Sequence, residues 1–136
     1  MSKVNFENLP STSTPLNSTN LNKVQEISTG TITNSSNIQS GTIKYTKQLN
    51  IVVINIEIIL AQATSGTWQT VELATLDSSL RPIQPPVRSL IKRDSSNYFY
   101  TLDIDSNGKL TLKDRGSGNI QGGENIVGSI TYISSN

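Results

Sequence analysis

Histidine and cysteine are both absent from this chain of 136 residues. Without them a Ser-His-Asp triad, a Cys-His pair and a zinc site built on histidine or cysteine cannot be assembled. No disulfide framework exists, so cysteine usage leaves the redox compartment unread. Charge is sparse and balanced, with 11 basic and 10 acidic residues for a net charge of +1, which gives no electrostatic case for a nucleic-acid partner. No apolar run is long enough to span a membrane; the most apolar stretch, Asn50 to Ala63, is interrupted by Asn55 and Glu57. The N-terminus lacks a charged-then-apolar leader, so Sec-type secretion is not expected. A glycine-rich phosphate loop between a strand and a helix is missing too. Two carboxylates would suffice for glycoside hydrolysis, yet a chain this short has little room for a long substrate cleft beside them. No enzymatic activity, cofactor or metal is therefore expected.

Serine, threonine and asparagine are plentiful, most of all at the start. Residues 1–40 contain 21 of them and only 10 apolar residues, too few to bury a core. Within that segment, Thr14-Pro15-Leu16 reads as a helix start, with Thr14 or Ser13 as cap and Pro15 at the first helical position. Leu16, Leu21, Val24 and Ile27 form a thin apolar stripe, which predicts one short helix from Pro15 to Glu26. Ser28 to Ser40 reads as a linker. The expected division is thus a segment 1–40 and a folded domain 41–136.

After Gly41 the pattern is that of strands. Val52, Ile54, Ile56, Ile58 and Leu60 occupy every even position of one run, and this period of two predicts a half-buried strand with its even face in the core. Further strands are expected at Thr42–Gln48, which alternates loosely, Thr67–Leu76, Val87–Arg93, Asn97–Ile104, Lys109–Lys113 and Ile126–Ile133. Asp105-Ser-Asn-Gly108 forms a tight turn, and Arg115 to Glu124, with four glycines, a loop. About seven strands at regular spacing indicate an all-β fold, a β-sandwich or jelly roll.

Gly66-Thr67-Trp68, a strand ending Ala74-Thr75-Leu76, Arg81-Pro82, the hairpin around Asp105–Gly108 and Gly128-Ser-Ile-Thr-Tyr-Ile133 follow one another in that order. The order resembles the head domain of bacteriophage tail-fibre and baseplate receptor-binding proteins, over roughly Gly41 to Ile133. Asn5 to Gln25, reading NFENLPSTSTPLNSTNLNKVQ, resembles the opening of tail proteins from phages of low-GC Gram-positive hosts. The resemblance implies a homotrimer in the virion, at a tail tip or baseplate, made in the host cytoplasm. It also implies a β-sandwich head that binds host surface saccharide, with residues 1–40 docking to other tail proteins. A structural adaptor or decoration protein touching only virion proteins is the alternative. Val53 and Ile59, on the otherwise polar side of the long strand, agree with a covering subunit.

Asp103-Ile-Asp105-Ser-Asn107-Gly108, with Asp114 further on, matches the start of an EF-hand calcium loop. Its flanks alternate like strands, so a hairpin that does not require calcium is expected. Arg81, Arg88, Lys92 and Arg93 fall in a stretch without acids and suit a phosphate-bearing polymer such as a teichoic acid, a solvated strand face being the alternative. Tyr98 and Tyr100 share one strand face, and Trp68 is the largest ring available for stacking on a sugar. By elimination of the core and the docking segment, Arg81, Arg88, Tyr98 and Tyr100 are the expected ligand-binding residues; Trp68 joins them as the stacking ring, with a place in the core as its alternative.

Overall fold

The structure is a computed structural model and describes residues 26–62, 67–93, 98–115 and 119–135. These residues form ten strands: β1 (Ile27–Ile32), β2 (Ile38–Gln48), β3 (Ile51–Leu60), β4 (Thr67–Trp68), β5 (Thr70–Thr75), β6 (Val87–Lys92), β7 (Phe99–Ile104), β8 (Lys109–Asp114), β9 (Ile120–Gln121) and β10 (Asn125–Ile133). They assemble into two four-stranded sheets, β1-β2-β3-β10 and β5-β8-β7-β6, with β4 and β9 as a small separate pair. Every strand pairing is antiparallel. The all-β sandwich expected from the alternation is thus the fold. Among the described residues no helix is long and apolar enough to cross a membrane.

The core follows from the period of two. Val52, Ile54, Ile56, Ile58 and Leu60 of β3 are all buried, and they meet Leu73, Leu102, Ile104, Leu110 and Leu112 of the opposite sheet. Each such side chain contributes roughly 1.5–3 kcal/mol on leaving water. Polar stitches close both flanks. β5 is an edge strand with a bulge between Glu72 and Ala74. The Glu72 carbonyl accepts from Ser35 Oγ at 2.7 Å and Asn37 Nδ2 at 2.9 Å in the β1–β2 connection. On the other flank Ser89 Oγ of β6 donates to the Ser129 carbonyl of β10 at 3.1 Å. Gly128 lets the sheets approach beside that bond, because a Cβ there would lie 2.6 Å from Ile91 Cδ1 and Ile91 would have to shift.

Two expectations need correction. Ser28–Ser40 is not a linker: it supplies most of β1 and the first residues of β2, in continuous register from Ile27↔Gln48 to Ile32↔Ile43. Backbone pairing and one inward side chain, Ile32, hold this polar strand at the sheet edge. The folded unit therefore begins by Ile27 rather than at residue 41. The glycine-rich loop also contains β9, whose Ile120 is fully buried. The helix expected over Pro15–Glu26 lies outside the described residues, Glu26 excepted.

The Asp105–Gly108 segment joins β7 to β8 as a hairpin. Asp105 Oδ1 accepts from the backbone N–H of Asn107 at 2.8 Å and of Lys109 at 3.0 Å, and Gly108 takes φ +80°, a region open to glycine.

Candidate functional site

Alternation decides what the β5-β8-β7-β6 sheet shows to solvent. Tyr100, Leu102 and Ile104 of β7 point inward, so Phe99, Thr101 and Asp103 point outward. Arg88, Leu90 and Lys92 of β6 and Lys109, Thr111 and Lys113 of β8 share that outer face by the same rule. The register sets Arg88 beside Asp103, and Thr101 between Leu90 and Lys113.

Asp103 is the centre of this face. One oxygen, Oδ2, takes Arg88 Nε at 3.1 Å, Lys113 Nζ at 3.1 Å and an Arg115 guanidinium nitrogen at 3.3 Å. Arg115 Nε also donates to Thr101 Oγ1 at 3.1 Å. The carboxylate is only 3% exposed. Burial pushes its pKa up, but hydrogen bonds from Lys113 and Arg88, together with their charge, outweigh that and hold the group below the usual carboxylate range. It is therefore ionised at neutral pH. Three cations on one carboxylate leave a surplus of positive charge, and Lys92 adds to it. At the hairpin end Lys109 is matched by Glu72 at 3.2 Å. Leu90 (68% exposed) and Phe99 (50%) stand on the same face, so it offers cations next to apolar surface.

The five expected ligand residues do not converge. Arg88 lies in the Asp103 cluster. Arg81 lies at the hairpin end of the sheet, half-buried, where its Nε donates to the Leu76 carbonyl at 3.3 Å and its own carbonyl accepts from Ser135 N–H at 3.0 Å. A Cβ on Gly108 would sit 2.9 Å from that Nε, so Arg81 braces the turn. Tyr98 is 44% exposed and precedes β7 at its far end. Tyr100 is a correction: at 1% exposure its ring belongs to the core, and a sugar cannot stack on it. Its hydroxyl donates to Glu124 Oε2 at 2.7 Å, Glu124 also pairs with Arg93 at 2.8 Å, and the Arg93 guanidinium lies 5.9 Å from the Tyr100 ring centre. Burial, reinforced by Glu124, pushes the phenol pKa up. Trp68 pairs through its backbone with Ile120; the side-chain role expected of it lies outside the described parts. The surface aromatic of β7 is thus Phe99. Lys113 and Arg115, which the sequence did not single out, complete the basic cluster around Asp103, a residue noted there only for its place in the calcium-loop pattern. Counting outward positions from the apolar Leu102 and Ile104 is the signal that reaches Asp103.

Comparison with known proteins adds one likeness. No family model matches the chain, and no curated protein does. A solved structure, the receptor-binding protein gp15 of Listeria phage PSA, superposes with a TM-score of 0.52 at 17% identity, covering 82% of this chain and 67% of that one. The two share a fold, that of a phage receptor-binding protein.

Proposed function

We propose that this chain is a non-enzymatic receptor-binding protein of a phage tail, located in the virion at the tail tip or baseplate and recognising a saccharide on the host cell surface. The observation that carries this reading is the fold shared with a phage receptor-binding protein over 82% of the chain, together with the motif order that resembles tail-fibre heads. The basic outer face is the contact we assign to a phosphate-bearing wall polymer: Arg88, Lys92 and Arg115 supply charge, and Phe99 and Leu90 supply apolar surface. Residues 1–25 attach the protein to its tail partners, and three copies form the working unit.

The test is a pull-down of the purified full-length chain on cell walls from a panel of low-GC Gram-positive bacteria, before and after chemical removal of wall phosphopolymer. Retention on untreated walls of at least one strain, lost after stripping, supports the reading. Failure on all walls, together with co-purification with tail proteins, supports a structural adaptor instead. Release of reducing ends from the walls would make the protein a hydrolase and end the non-enzymatic assignment.

A further inference from the structure

The outer face of the β1-β2-β3-β10 sheet carries polar side chains that the described protein leaves uncommitted. Register places Lys44, Asn55 and Ser129 in one row across β2, β3 and β10, and Thr42, Glu57 and Val127 in the next. Those six residues line an open groove of about 340 Å³. Thr42 and Glu57 also border a second hollow of about 270 Å³ that runs on toward Ile59 and Asn125. Among the described residues the side chains of Thr42, Lys44, Asn55, Glu57 and Ser129 make no hydrogen bond or ion pair. The opposite outer face differs: there Arg88, Lys109, Lys113 and Arg115 are all engaged by carboxylates.

We propose that this groove binds an uncharged, hydroxyl-rich ligand, a neutral sugar unit of a glycan. The inference rests on the tail-receptor reading and adds a place and a ligand chemistry to it. Each sugar hydroxyl both gives and takes a hydrogen bond, and the groove offers both kinds of partner. Asn55, Thr42 and Ser129 can do either, Glu57 accepts and Lys44 donates. Lys44 and Glu57 cancel in charge, so the groove selects for no net charge. Val127, 58% exposed, provides an apolar spot for the C–H side of a ring. The volume lies at the small end of ligand sites, which fits one sugar unit. Asn55 and Glu57 stand on β3, an interior strand of the sheet, and so are held rigidly in place.

The apolar end of the same face is clear of the groove. Ile51 and Asn55, the nearest groove residue of β3, are four strand positions apart, roughly 13 Å, so a neighbouring subunit can cover Ile51 while the groove stays open.

The test is amide NMR on the isotope-labelled full-length chain, titrated separately with glucose, galactose, N-acetylglucosamine and, as an anionic probe, glycerol 3-phosphate. A neutral sugar should shift the amides of Asn55, Glu57 and Ser129 saturably, with a midpoint unmoved by added salt. The double variant Asn55→Ala, Glu57→Ala should lose that shift and keep its Tm, since both side chains are exposed. The proposal is overturned by an absence of saturable groove shifts with all three sugars, by groove shifts with glycerol 3-phosphate alone, or by shifts that persist in the double variant. Wall binding by the same proteins separates the two claims. A wild-type chain that binds no wall defeats the tail-receptor reading even where the groove takes sugar. Equal wall binding by wild type and double variant, with no sugar shift in either, defeats the groove alone.

Discussion

Asp103 joins three strand-borne or strand-flanking cations through a single oxygen, and its substitution tests what that junction is worth. Asp103→Asn leaves Arg88, Lys113 and Arg115 facing one another without a counter-charge. A cost of about 1–3 kcal/mol is expected, below that of a fully buried pair because the Arg88 and Arg115 head groups are about half in water. The folded-state pKa is depressed, so this stability is present above the unfolded value of ~3.9 and disappears as pH falls through the folded value. Denaturant melts should therefore show a wild-type advantage over Asp103→Asn that is constant near neutral pH and shrinks below about pH 4. Tyr100 makes the converse case. Tyr100→Phe removes a donor to the Glu124 carboxylate, which should cost about 1–2 kcal/mol in the same melts while wall binding is unchanged. Little of this cluster was legible in the chain itself. The run Arg81–Arg93 marks basic character, but its members go to three places: a turn brace, the outer face and Glu124. Only the register between β6, β7 and β8 sorts them, and register is a tertiary property.

At the scale of elements, legibility tracks how much of a strand's stability comes from apolar alternation. β3 alternates five buried side chains with outward ones, and its face and length were readable at once. β1, with Ser, Thr and Gly between Ile27 and Ile32, forms by pairing its backbone with β2, a contribution that side-chain pattern does not display. The approach of the two sheets at β6 and β10 is equally hidden, because it depends on an absent side chain. Gly128→Ala should force its new methyl against Ile91 Cδ1 and Cγ1, 2.6 and 2.8 Å away, and cost about 1–3 kcal/mol by overpacking. Ile91→Ala costs stability as well, through a cavity. In the double variant the two losses should sum to less than their separate values. A thermal-denaturation double-mutant cycle measures this coupling, and strict additivity would show that the sheets do not meet there as described.

For the molecule as a whole, the sandwich boundary and the assembly of copies both have direct tests. Deleting residues 1–25 should leave a cooperative all-β fold with a Tm close to that of the full chain. Deleting 1–40 removes β1 and with it Ile32, the partner of Ile43 on that side, so circular dichroism should show a much lower Tm or no transition. Assembly is argued from one row of side chains. Ile27, Ile51 and Ile133 lie in a single line across the β1-β2-β3-β10 sheet, interrupted only by Gln48, and all three are exposed. Leu49, in the adjoining turn, is exposed as well and adopts φ +53°, a conformation that disfavours a bulky side chain. Burying such residues against another copy would stabilise it by roughly 1.5–3 kcal/mol apiece, and a closed ring of copies meets this need with one repeated contact. If that ring is the trimer proposed above, the wild-type chain scatters light with a trimer's mass at micromolar concentration. Ile51→Lys with Ile133→Lys should yield a folded monomer of unchanged circular dichroism, because both positions point away from the core. A monomer mass for the wild type, or a trimer that survives both lysines, would place the assembly contact elsewhere.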